Sequence, residues 1–109
     1  MGNVIETVDI LGDKVICSDT TWTGHITSGH AIMSNNLNAV KDTIEDPDVI
    51  YESNQHPARN VYFKQSSISS YDAYTKVVTQ KNEGNICSVV SAWPQKQIKG
   101  GIGSEIYRK

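Results

Sequence analysis

Cysteine, proline and phenylalanine are scarce: two, three and one in 109 residues. Most of the chain separates Cys17 from Cys87, so they make no C-x-x-C metal pair. Both stand in apolar, strand-like surroundings, which reads as two buried thiols in neighbouring strands. A disulfide stays open for an oxidising compartment. Long apolar runs are absent, and none approaches the ~20 residues of a membrane span. The opening Met1-Gly2-Asn3-Val4 lacks the basic-then-apolar pattern of a secretory signal. Excess charge is absent too. A formal charge of −2 excludes a strongly cationic protein held to nucleic acid by bulk charge, and leaves a local basic site open. No repeat or linker divides the chain, so residues 1–109 read as a single domain.

What is present falls into a clear order. Val4 to Ile10 and Lys14 to Cys17 flank a turn at Leu11-Gly12-Asp13, which predicts an N-terminal β-hairpin. Asp19 or Thr20 can cap a helix, and Trp22, Ile26, Gly29 and Met33 then recur at helical spacing. Asn35-Asn36 breaks that run. A second helix buries Leu37, Val40 and Ile44 and stops before Pro47. Strands follow at 48–52, 60–64, 73–79 and 86–93, with a polar stretch at 66–72 and a hairpin turn at Asn82-Glu83-Gly84-Asn85. Glu105 to Arg108 can close the sheet. This is an α+β plan: an N-terminal hairpin and two helices packed on a four- to five-stranded antiparallel sheet.

Three segments carry chemistry. In Trp22 to His30, two histidines stand five apart, about 140° around a helix from one another, so they are not the i, i+4 zinc pair. His25 lies beside the Trp22–Ile26 stripe at the edge of the buried face, where an imidazole can serve as general acid or base. The alternative is a boundary histidine bonded to backbone. In Arg59 to Lys64, alternation sets Arg59, Val61 and Phe63 on one face and Asn60, Tyr62 and Lys64 on the other. Tyr62 and Lys64 together offer a hydroxyl, a flat ring and a cation for a phosphate and a base. The alternative is a solvated strand face. In Ser88 to Pro94, alternation groups Val89, Ser91 and Trp93, and the Ser91 hydroxyl can meet a phosphate oxygen or simply make room for a bulky neighbour. The glycines at 100, 101 and 103 match no phosphate-loop pattern and read as a turn beside substrate. No carboxylate pair supports a glycosidase.

Together these motifs resemble the phage-associated branch of the barnase–EndoU–colicin–RelE nuclease superfamily. The pieces are Trp22, His25-Ile26 and His30; Thr43-Ile44, Pro47-Asp48 and Ile50; Tyr62 and Lys64; and Val90-Ser91-Ala92-Trp93. They run in the family's order from Trp22 to the C-terminus and leave the hairpin outside. The resemblance implies an endoribonuclease toxin that needs no metal and no cofactor and cleaves RNA, tRNA in particular, leaving a 2′,3′-cyclic phosphate. It implies His25, Lys64, Ser91 and His30 as catalytic residues, with Tyr62 binding substrate; Arg59 and Trp93, on the same two strand segments, are the further substrate-binding candidates. Its partners would be RNA and a cognate immunity protein or antitoxin, with neither DNA nor membrane. Its place would be the cytoplasm of a target bacterium, reached either as the C-terminal domain of a secreted toxin or as a free-standing protein. Two other readings stay open: a non-catalytic RNA- or protein-binding domain of the same fold, and a small phage structural protein.

Overall fold

The N-terminal hairpin is where the fold begins and where it first departs from expectation. The structure, a computed structural model, describes residues 2–69 and 72–109, with backbone alone at 32, 66–69 and 72. Strands β1 (Asn3–Val8) and β2 (Lys14–Ser18) pair antiparallel, as the sequence predicts. They do not stand apart as a hairpin on a smaller sheet. β2 runs parallel to β6 (Ile86–Gln95), which joins the hairpin to one seven-stranded sheet; with β3 at Val49–Ser53, β4 at Arg59–Ser69, β5 at Asp72–Lys81 and β7 at Ile102–Arg108, its order is β1-β2-β6-β5-β4-β3-β7. The α+β class holds, but the sheet is wider than four or five strands and is mixed rather than purely antiparallel.

Asp9 ties the hairpin turn to the core. Its Oδ1 accepts from the amides of Leu11 and Asp13 at 3.0 and 2.9 Å, and its Oδ2 accepts from the Tyr62 hydroxyl at 2.5 Å. Gly12, at φ 91°, makes that tight turn possible.

The helices are shorter than their periodicity suggests. Ser18, rather than Asp19 or Thr20, caps the first one, its Oγ accepting from the Thr21 amide at 3.1 Å. Residues 19–29 are helical, but Trp22–Ile26 form a π turn in which the Thr27 amide reaches back to the Trp22 carbonyl. Thr23 and Ser28 hydroxyls bond carbonyls four residues back, at Asp19 and Gly24. Such back-bonding loosens a helix, and Gly24 lowers its propensity further. A 3₁₀ turn at Ala31–Asn35 leads to the helix Leu37–Glu45, which ends two residues before Pro47.

The polar stretch expected at 66–72 extends the β4–β5 pair instead, and its residues 70 and 71 lie outside the described ones. The hairpin turn before β6 forms as read, with Gly84 at φ 74°. β7 closes the sheet against β3.

Two apolar clusters lie on opposite sides of the pleat. The larger packs Trp22, Ile26, Met33, Val40 and Ile44 from the helical segments on Ile5, Val15, Ile50, Tyr62, Val77 and Val89. Cys17 and Cys87 are free thiols buried within it, in the adjacent strands β2 and β6. Burial pushes the Cys17 thiol up to about 11. The smaller cluster holds Val49, Val61 and Phe63, with Tyr51, Tyr74 and Val78 beside them.

Candidate functional site

Strand alternation and one bulge decide what reaches the surface opposite the larger core. In β4, Val61 and Phe63 point to the smaller cluster and Tyr62 to the larger, the split that the sequence predicts. The consequence is the reverse of the expected one. Tyr62 is fully buried, so it is a core residue and cannot touch a substrate. Burial, then the hydrogen bond and charge of Asp9, push its phenol well above the ordinary tyrosine range.

Lys64 belongs to the helix side as well. Its Nζ sits 3.0 Å from Asp42 Oδ2 and 3.1 Å from Asp46 Oδ2. Burial alone would lower its pKa. The two carboxylates outweigh that and raise it. Asp46 is held below the usual carboxylate range by hydrogen bonds from Lys109 and Lys64. Lys64 therefore lines a separate cavity with Asp42 and Thr75, away from His25, and is engaged by two carboxylates. The expected pairing of Lys64 with His25 is not formed.

In β6 the register against β5 shifts between Val78↔Ser91 and Thr79↔Val89, leaving Val90 as a bulge. An extra residue flips the side chains that follow it. Val89 accordingly sits in the larger core, while Ser91 and Trp93 face the other side. The expected grouping of Val89 with Ser91 and Trp93 is corrected by that bulge.

The result is a cavity of about 540 Å³. It gathers four of the residues singled out from sequence: His25, Arg59, Ser91 and Trp93. It adds two that sequence reasoning missed, His56 and Lys76, and is closed by Gly100 and Gly101. Pairing of β2 with β6 ends at Ile16↔Ser88. Beyond that point the helical segment packs along β6, which brings His25 to the cavity. His30 ends the helix at φ −139°, ψ 87°, so the 140° helical projection no longer applies to it. Its ring stacks on Trp93, 5.8 Å between centroids and 17° between planes.

Lys76 is the most unusual group here. It is 4% exposed and makes no ion pair among the described residues. Its Nζ donates to the carbonyls of Gly100 at 2.9 Å and Lys99 at 3.2 Å, and lies 4.7 Å from the Trp93 ring centre. Burial lowers its pKa. Gly100 is at φ 93°, a backbone conformation that favours glycine, and a Cβ there would stand 3.0 Å from that Nζ. Arg59 is steadied by Nε donating to Gln80 Oε1 at 3.1 Å.

Among the described residues lining the cavity there is no aspartate or glutamate. A cleft with an arginine, a buried lysine and two histidines, and no acid among its described lining residues, is suited to an anion although the overall charge is negative. No group of three or more potential metal ligands occurs among the described residues. Lys76 was legible only as one member of a β-branched strand, and its cross-strand partner Trp93 was the available hint. His56 lies in the polar connection between β3 and β4, which carries no motif of its own, although such loops often carry function. Compared with family models, curated proteins and solved structures, the chain gives no match.

Proposed function

We propose that the cleft cleaves RNA without a metal ion, and that the protein is an endoribonuclease toxin acting on tRNA. The observation that carries this reading is the acid-free cavity holding His25, His56, Arg59 and Lys76 together. A ribose 2′-hydroxyl attacks the adjacent phosphorus, the bond to the 5′-oxygen breaks, and a 2′,3′-cyclic phosphate and a 5′-hydroxyl result. One imidazole takes the 2′ proton and the other protonates the departing oxygen. His25 and His56 fill these two roles. Charge building on the phosphoryl oxygens meets Arg59 and Lys76, fixed donors that need no rearrangement. The Ser91 hydroxyl orients a phosphate oxygen. Lys76 thus takes the part that the resemblance gave to Lys64.

The family likeness belongs to the same proposal. An α+β chain with short helices and a histidine from the first of them supports it. The seven-stranded sheet with one parallel pair is the feature that departs from it. A nuclease of this kind must be silenced in its producer, which implies an immunity protein or antitoxin, and its place of action is the cytoplasm of a target bacterium.

The test is incubation with total tRNA in EDTA, followed by end analysis. Discrete fragments with cyclic-phosphate ends, lost in His25→Ala and in His56→Ala, are expected. RNA that is bound but left intact at high protein concentration would favour the non-catalytic RNA-binding reading instead.

A further inference from the structure

Trp93 is held in place from several directions. Its Nε1–H donates to Gln95 Oε1 at 3.1 Å, and the buried Lys76 ammonium lies 4.7 Å from its ring centre. Gln95 is itself fixed, its Nε2 donating to the carbonyls of Gln97 and Lys99 at 2.6 and 2.7 Å. Yet the indole is only partly buried and lines the cavity. A rigid indole at a cationic cleft is a ready surface for a flat ring.

The protein already places a flat ring there. His30 is exposed and stands where helical geometry ends, and its imidazole lies within 17° of parallel to the indole. Exposed side chains change rotamer in picoseconds to nanoseconds. This occupant can therefore leave quickly.

We infer that the Trp93 indole is a nucleobase platform, and that His30 occupies it until a nucleotide arrives. The proposal rests on reading the cleft as a nucleic-acid site, but it requires neither a 2′-hydroxyl nor cleavage. The base stacks on Trp93 in place of the imidazole, and the attached phosphate turns toward the cavity that Trp93 lines together with Arg59 and His56. Stacking of this kind tolerates any base, because every base has a π face. His30 then acts as a competitor for the site rather than as a proton carrier.

The test uses a 2′-deoxynucleoside 3′-monophosphate, which binds without being cut. Trp22 and Trp93 are the two tryptophans, and Trp22 is buried in the larger core, so its indole N–H signal in an NMR spectrum is an internal reference. A saturable shift of the Trp93 indole with a still Trp22 signal is expected. Inorganic phosphate at the same concentration should leave the Trp93 indole in place. Trp93→Leu should weaken binding about tenfold or more. His30→Ala should tighten it about two- to tenfold, because the competent state is no longer shared with the imidazole. An indole that ignores the nucleotide, or weaker binding by His30→Ala, overturns the platform. His30→Ala alters an exposed ring, so it keeps the proposal testable if Trp93→Leu fails to fold. Cleavage assayed on the same proteins separates the two readings. A chain that cuts tRNA while Trp93 stays silent loses the platform and keeps the nuclease. Stacking without cutting keeps the platform and removes the nuclease.

Discussion

Lys64 and Lys76 stand on opposite faces of the same sheet and meet opposite surroundings. Lys64, on the helix side, lies within 3.1 Å of Asp42 and Asp46 and its pKa is raised. Lys76, on the cleft side, is more deeply buried, meets carbonyls and rings, and its pKa is lowered. A cation neutralised by two carboxylates has little field left for a ligand. One buried with no counter-charge among the described residues carries a standing desolvation cost that an arriving anion relieves. The difference locates the candidate site where residue type alone could not.

The sharpest way to break this contrast is at the two histidines proposed as proton carriers. His25→Ala and His56→Ala should each lower RNA cleavage by about 10²–10⁴-fold, with thermal melting little changed, since both rings are exposed. Full activity in either variant would take that residue out of the mechanism. In the parent protein, opposed acid and base roles should give a bell-shaped dependence of kcat/KM on pH.

The lysines themselves come next. Lys76→Met should cut activity roughly 10²-fold by removing a fixed donor, while stability changes little, because the desolvation cost that disappears offsets the hydrogen bonds to Lys99 and Gly100 that are lost. Lys64→Met should leave cleavage intact and lower stability slightly, by an amount that shrinks at high salt. The reverse pattern, checked by parallel melting and cleavage curves, would exchange the roles of the two faces.

Tyr62→Phe probes the core on the Lys64 side. It leaves the buried Asp9 Oδ2 without its partner and should cost about 1–3 kcal/mol, measurable by urea unfolding. Cleavage should persist, because Tyr62 is remote from any substrate. The raised phenol also sets a pH dependence. A group whose folded pKa is raised supplies stability that is complete below its unfolded value, about 10, and is lost as pH climbs through the folded one. Unfolding free energy should therefore fall above about pH 10, at up to ~1.4 kcal/mol per pH unit, and Tyr62→Phe should remove that part of the slope.

The smallest effect belongs to Asp46, whose carboxyl is held low by Lys109 and Lys64. Its contribution is present above the ordinary carboxylate range and vanishes as pH falls through the folded value. Asp46→Asn should flatten the acid limb of the stability curve only slightly, because the group is exposed and screened.

Local features of this fold were legible and long-range ones were not. The hairpin turn at Gly84, the stop before Pro47 and the split of Val61 and Phe63 from Tyr62 follow from backbone preference and a period of two. The parallel β2–β6 pairing joins residues far apart in the chain, and no local pattern encodes it. The π turn at Trp22–Ile26 departs from the i→i−4 pattern that helical spacing predicts, and packing against β6 accompanies it.

The site divides along the same line. The amino-acid sequence alone determined most of the element types, the α+β class, the apolar stripes and the kinds of side chain available, because these depend on neighbours along the chain. His25, Arg59, Ser91 and Trp93 were found that way. Which face each strand shows depends instead on what covers it. The helices settled on the Tyr62 side, and the Val90 bulge turned Ser91 and Trp93 to the other. That choice buried Tyr62, tied Lys64 to two aspartates and set Lys76 beside Arg59 in the cleft. A strand's alternation names two faces and is symmetric between them. Only tertiary packing, through the apolar area it removes from water, distinguishes one from the other.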